Sequence, residues 1–413
     1  MNIYLIIILF ILIAEYILDV SIELLNLRHL KPHLPRSFQD VFDQSKYTLS
    51  QQYLKANTRL GLFRETVNLI VILALILGGG FNMIDHFVRG FGYDSIISGI
   101  LFFGILILLS SMFSLPFRVY QTFVIEETFG FNRTTVRTFI LDTVKGLVLL
   151  ALIGVPLGYA ILLFFERTGP YAPLWVWLVI VIFQLFMIYI APVAILPLFN
   201  RYTPIEEGDL KSKISAYAES QGFKLKGIYT MDGSRRSRKS NAFFTGFGRF
   251  RRIVLFDTLV EKHDSDELLA ILAHEIGHYK LNHIKKRLFY SVLELGISLF
   301  ILSKFLNNPQ LFEAFQMEDI SVYASLLFFG FIYSPVSTIT SVLSNRVSRS
   351  HEFDADSYSV QTLKLKNAFI SALKKLSADN LSNLTPHRLK VFFDYSHPPV
   401  LDRIKSIEEI DVN

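Results

Sequence analysis

The chain has 413 residues, of which 51% are hydrophobic and 19% charged, with a mean hydropathy of +0.40; this excludes an ordinary soluble enzyme and points to an integral membrane protein. A net charge of +5 with a pI near 9.1 needs no nucleic acid partner, and no RNA- or DNA-binding motif is present. Cysteine is absent, which excludes disulfides and thiolate zinc sites and leaves nitrogen and oxygen to hold any metal.

In chain order, seven apolar stretches at approximately 3–23, 67–84, 95–117, 144–165, 173–199, 288–305 and 321–343 read as spans, most long enough to cross about 30 Å of hydrocarbon. The second and sixth are the weakest. The first lacks a small-residue cleavage site and runs on into Glu15, Asp19 and Glu23, so it reads as a retained helix and not a signal peptide. The first loop carries Arg28, Lys31, Arg36, Lys46, Lys55, Arg59 and Arg64, and the third Arg118, Arg133, Arg137 and Lys145, whereas the second and fourth hold little besides Arg89 and Arg167. Odd loops are therefore expected in the cytosol and the N-terminus outside. The chain divides at about 1–199 (five spans), 200–287 (a polar segment), 288–343 (spans six and seven) and 344–413 (a polar tail), both polar blocks falling on the cytosolic side.

In the first polar block, Lys211 to Gln221 reads as a helix, Gly227 to Thr230 as a short strand and Asp232-Gly233 as a turn. The basic residues Arg235, Arg236, Arg238, Lys239, Arg249, Arg251 and Arg252 fit the positive-inside bias with attraction to anionic lipid headgroups more simply than substrate recognition. Asn241 to Phe247 and Arg252 to Phe256 read as strands joined through Gly246-Phe247-Gly248. A strand edge beside a catalytic helix can hold an extended peptide through main-chain hydrogen bonds.

His274-Glu275-Ile276-Gly277-His278 follows. On a helix, two histidines four residues apart share a face, so both imidazoles can reach one zinc ion, with Glu275 placed to accept a proton from the attacking water and pass it to the leaving amine. Asp264-Ser265-Asp266-Glu267 supplies caps and first-turn acids, and Leu268, Leu269, Ile271, Leu272 and Ile276 an apolar face. The plain alternative is an amphipathic helix whose polar residues happen to be His and Glu. His283 falls about half a turn round a continuing helix from His274, and reads as a solvated or packing histidine.

Two histidines leave a catalytic zinc one protein ligand short. Glu294, about 24 Å further along a straight helix than His278, lies too deep, and is expected to line a wet interior or pair with a polar group. Glu352 and Asp356, just after the last span, are i and i+4 and face one way; one can bind zinc and the other accept a ring N–H. Spacing does not say which, and a solvated acidic helix would read alike. His351 and Asp354 are expected to point elsewhere. His397, held before Pro398 and Pro399, suits a rigid oxyanion donor or a surface turn.

His274 to His278, Glu352-Phe353-Asp354-Ala355-Asp356, Ser396-His397-Pro398-Pro399, Asn241-Ala242-Phe243-Phe244, Pro197-Leu198-Phe199-Asn200 and Glu126 to Asn132, in that order and spacing, resemble the integral-membrane zinc metalloproteases of the type I CAAX prenyl protease family. The resemblance covers most of the chain. It implies an α-helical polytopic membrane protein, seven transmembrane helices enclosing a hydrated chamber and a cytosolic zincin-like domain with a small β element. It further implies one Zn2+ per chain held by His274, His278 and Glu352, Glu275 as base and His397 as transition-state donor. Asp356 would orient a histidine ligand, Arg403 would pair with the acidic cluster, and the peptide would lie against Asn241, Ala242, Phe243 and Phe244. Two departures from eukaryotic members, a short connection at about 305–320 and no evident ER-retrieval signal, favour the cell membrane over the ER. The expected activity is cleavage of peptide bonds near the cytosolic membrane face, with prenylated CAAX tails as the implied substrate. The competing readings are a broad quality-control protease of membrane proteins and a lipid-binding scaffold with a structural zinc.

Overall fold

The computed structural model describes residues 2–223, 225–245 and 252–411. Five long apolar helices come first: α1 (Ile3–Arg28), α2 (Gln44–Leu77), α3 (Ser95–Thr128), α4 (Val136–Arg167) and α5 (Gly169–Phe199). The side chains of Asn2, Asp43, Asp94 and Thr135 cap four of them. The polar segment then folds as β1 (Tyr202–Pro204), α6 (Asp209–Ser220), β2 (Gly227–Met231), β3 (Ala242–Thr245), β4 (Arg252–Phe256) and α7 (Ser265–Lys280). After it come α8 (His283–Leu302), the 42-residue α9 (Val322–Leu363), α10 (Lys366–Asp379), α11 (Arg388–Asp394) and α12 (Val400–Glu408).

Among the described residues six helices, α1 to α5 and α9, are long and apolar enough to cross a membrane. The expected count of seven is not reached on that criterion, because every 18-residue stretch of α8 includes Lys285, Lys286, Arg287 and Glu294. α8 nevertheless runs beside α5, with Trp177 Nε1 donating to the Val292 carbonyl at 2.9 Å, and its last turn packs with Phe165, Ala172 and Val176. The second span is also displaced from expectation: α2 stops at Leu77, where Gly78 and Gly79, the latter at φ +67°, break the helix before a separate short helix at Gly80–Arg89.

Long-range contacts sort the chain into two ends. At one end Asn2 donates to the Gln310 carbonyl at 2.7 Å, Gln316 to the Leu77 carbonyl at 2.7 Å, and His86 lies 3.0 Å from Glu318. At the other, the His387 N–H donates to Asn26 at 3.0 Å, and Lys145 to the Leu198 carbonyl at 2.8 Å. Both polar blocks therefore share the second end. At most 22% of the most apolar stretch of any of the six helices is buried, as expected when helices face lipid outside and surround open space inside. That interior holds a cavity of about 790 Å3 bordered by Arg64, Glu65, Asn68 and Asp142, and another of about 470 Å3 bordered by Asp19, Glu23 and Asp394.

The polar segment builds a four-stranded sheet in the order β1-β2-β4-β3. β2 and β4 are parallel, and β1 and β3 pair antiparallel on either side, leaving β3 at an edge. Ile253, Leu255, Leu268 and Leu272 are buried between sheet and α7, each contributing about 1.5–3 kcal/mol relative to exposure. The expected Gly246-Phe247-Gly248 link, Arg249 and Arg251 lie outside the described residues.

Candidate metal centre

α7 begins with a full capping box: Asp264 accepts from the Glu267 N–H at 2.9 Å, and Glu267 accepts from the Asp264 N–H at 3.1 Å. This fixes the helix phase that puts His274 and His278 on one face, toward α9. α9 runs unbroken from the membrane into the polar lobe, so one helix carries both a span and Glu352. The two helices meet at Gly277, where an added Cβ would lie 3.2 Å from Ala355 Cα and 3.3 Å from its carbonyl oxygen. Glycine is what admits this approach.

His274 Nε2 and His278 Nε2 lie 3.1 Å apart, with Glu352 Oε1 3.2 Å from His278 Nε2 and Glu352 Oε2 3.5 Å from His274 Nε2. One ligand atom from each of the three residues falls within 4.8 Å of the others. The other nitrogens are engaged: His274 Nδ1 is 2.8 Å from Asp356 Oδ1, and His278 Nδ1 is 3.0 Å from His283 Nδ1. If both Nδ1 atoms carry the proton, two Nε2 lone pairs face each other beside a carboxylate, an arrangement that calls for a cation. Glu352 Oε2 is buried without a hydrogen-bond partner. Two nitrogens on one tetrahedral zinc are about 3.3 Å apart, so this nitrogen and oxygen donor set fits zinc.

Arg403 clamps Asp356 with Nε at 2.8 Å and Nη2 at 2.5 Å, and its Nη1 lies 3.5 Å from Glu352 Oε2. Burial alone would lower the His274 pKa, but the adjacent Asp356 and Glu352 carboxylates outweigh it and raise it to about 9 without metal. Glu275 borders the same cleft, of about 450 Å3; burial there raises its carboxyl above the ordinary range, opposed by His274 and His278. A carboxyl raised in this way holds a proton more readily than an exposed one, as a proton acceptor in hydrolysis must.

His397 also borders this cleft, its Nε2 3.4 Å from Glu352 Oε1 and its Nδ1 2.9 Å from Ser396 Oγ. With the Ser396 hydroxyl donating to Nδ1, Nε2 carries the N–H. The turn is fixed by Arg349 of α9, which donates to the Val391 carbonyl at 2.9 Å and the Tyr395 carbonyl at 2.6 Å. On the far wall are Asn241, Ala242, Phe243 and Phe244 on the edge of the sheet.

Some residues behave differently from the sequence expectation. His283 packs and is not among the three ligands, as expected, but it is brought against one of them: it is buried at 1% exposure, stacks on the His351 ring at 3.9 Å, and its Nδ1 lies 3.0 Å from His278 Nδ1. The straight-helix extrapolation fails because α7 ends at Lys280 and Asn282, at φ 59°, turns the chain back. His351, on which His283 stacks, likewise stands outside the three-residue ligand group. Glu294, by contrast, behaves as expected: it pairs with a polar group, accepting from Thr340 Oγ1 at 2.5 Å, and is not among the three ligands. Two of the basic residues are structural partners: Arg236 pairs with Asp142 at 2.8 Å, and Lys239 with Glu126 at 3.1 Å. Sequence reading gave no role to Arg349, which holds the turn of the Ser396-His397-Pro398-Pro399 motif.

The model of the CAAX prenyl protease N-terminal region, five membrane helices, matches residues 23–201, and that of peptidase family M48 matches 204–411. A CAAX prenyl protease 1 homolog of Arabidopsis thaliana is 35% identical, covering 97% of this chain and 96% of the relative. The Saccharomyces cerevisiae CAAX prenyl protease 1 is 32% identical, with 91% and 89% covered. The crystal structure of S. mikatae Ste24p superposes with a TM-score of 0.92 at 31% identity, over 98% of this chain and 99% of that one. The chain therefore belongs to the CAAX prenyl protease family of M48 peptidases, as a multi-pass membrane zinc metalloendopeptidase.

Proposed function

We propose that the chain removes the carboxy-terminal tripeptide from prenylated CAAX tails at the cytosolic membrane face. The observation that carries this reading is the convergence of His274, His278 and Glu352 from two helices on one point, in a cleft that also holds Glu275 and the unpaired edge of β3. His274, His278 and Glu352 would hold zinc. When bound there, zinc supplies Lewis acidity, lowering the pKa of water and polarising a carbonyl.

The chain's own groups then divide the work. β3 and Asn241 hold the peptide extended by main-chain hydrogen bonds. Glu275 takes a proton from water as its oxygen adds to the scissile carbonyl carbon, and returns it to the amine nitrogen as the C–N bond breaks. His397 Nε2–H donates to the oxyanion. Asp356, itself held by Arg403, accepts the His274 Nδ1–H and aims Nε2 at the metal. A scaffold with a structural zinc is disfavoured, because such a site closes its fourth position with protein and has no use for Glu275.

The cytosolic placement rests on Arg28, Lys31, Arg36, Arg118, Arg133 and Arg137 at the zinc end of the bundle, against Arg89 and Arg167 at the other. The test is digestion of a farnesylated CAAX peptide beside its unprenylated control. Preferential release of the tripeptide from the farnesylated form supports the reading. Equal turnover of both transfers it to broad membrane-protein clearance, and no turnover by zinc-replete protein overturns it.

A further inference from the structure

Beside the zinc cleft lies a second cavity of about 680 Å3. It shares Asn241, His397 and Arg403 with the cleft, so a chain leaving the metal past His397 enters it. Its chemistry differs from that of its neighbours. Glu275 and Glu352 line the zinc cleft, Asp19, Glu23, Glu65 and Asp394 one interior cavity, and Glu65 and Asp142 the other. Among the described residues no aspartate or glutamate lines this one; serines, asparagines, tyrosines and Arg403 do.

One wall atom is unused. Ser240 is 4% exposed, and its Oγ has no hydrogen-bond partner. Its backbone is fully engaged: the Ser240 N–H donates to Asn380 Oδ1 at 3.1 Å, and the Asn380 amide donates to the Ser240 carbonyl at 3.1 Å. The hydroxyl is therefore held in place one residue before Asn241, free to donate. A buried hydroxyl left unpaired costs about 1–3 kcal/mol, a cost removed when a ligand acceptor arrives.

We propose that this cavity is the subsite for the carboxy-terminal end of the peptide, with Ser240 Oγ donating to the terminal carboxylate. The inference rests on the peptidase reading above and adds the recognition of the free acid. The neighbouring cavities mix carboxylates with arginines or lysines, whereas Arg403 is the one formally charged residue among the described lining of this one, so an anion meets no like charge on its walls. Three extended residues reach about 10 Å, and about 680 Å3 falls within the usual range for sites of that size. A peptide whose carboxyl end lies at Asn241 also runs antiparallel to β3, the direction in which two strands can be joined by closely paired hydrogen bonds.

The test compares one prenylated peptide with a free carboxy terminus and the same peptide amidated, on wild type, Ser240→Ala and Ser240→Asp. Taking the ratio of kcat/KM for acid over amide on each preparation cancels the folded fraction. Wild type is expected to favour the acid by about tenfold, as a hydrogen bond to a charged group gives. Ser240→Ala should bring the ratio toward one, and Ser240→Asp should invert it, mostly through KM. A wild-type ratio near one, or a ratio unchanged in both variants, overturns the subsite and leaves the peptidase standing. Absence of turnover on every peptide by zinc-replete wild type overturns the peptidase reading and the subsite with it.

Discussion

His283 Nδ1 lies 3.0 Å from His278 Nδ1. For His278 to present a lone pair at Nε2 its Nδ1 must carry the proton, so His283 must accept, with its own proton on Nε2. Burial and the neighbouring His351 and His278 push the His283 pKa down to about 3, which keeps it neutral and able to accept. His283→Ala should therefore weaken zinc binding about 10- to 100-fold, the usual cost of losing a group that orients a metal ligand. Competition with a calibrated chelator measures it, and an unchanged affinity would reduce His283 to packing.

Gly277 is the contact on which α7 and α9 close. Replacing it with valine should force the helices apart, cost about 1–3 kcal/mol from overpacking and lower zinc affinity, because Glu352 moves with α9. Melting temperature and zinc content, read on one preparation, should fall together. A stable variant with full zinc would show that the helices accommodate the side chain.

Zinc binding should be pH-dependent through His274. Its pKa in the metal-free protein is about 9, so below that pH Nε2 carries a proton that zinc must displace. Apparent affinity should therefore rise about tenfold per pH unit up to about pH 9 and then level off. Calorimetry in buffers of differing ionisation enthalpy should record about one proton released from this group at pH 7. No release at that pH would place the His274 proton elsewhere.

How far these features were legible in the sequence depended on whether they were local. The α7 capping box, the i, i+4 histidines and the Glu352/Asp356 pair depend on helix periodicity, which the chain declares residue by residue. The long spans were legible from apolar runs. α8 was ambiguous for a physical reason, since it starts with Lys285, Lys286 and Arg287 and carries Glu294, which pairs with Thr340, so composition undercounts it. The contact of His283 with His278 was not legible because one left-handed residue, Asn282, breaks the extrapolated helix; an asparagine there was the available signal. Ser240 is held in place by Asn380, distant in sequence, and nothing local marks it.

His397 touches the cleft without being among the three ligands. His397→Ala should cost about 10²–10³ in kcat with zinc content and KM little changed, as expected for a group that donates only in the transition state. If the variant loses melting temperature but keeps its turnover per folded molecule, His397 is a packing residue of the turn before α12.

The central claim is that Glu275 moves the proton in peptide hydrolysis at a zinc held by His274, His278 and Glu352. It is tested most directly by measuring bound zinc by atomic absorption together with peptide turnover in Glu275→Gln, an isosteric change that removes only the basic oxygen. The account predicts full zinc occupancy and turnover lower by at least about two orders of magnitude. Near-normal turnover at full occupancy would contradict it.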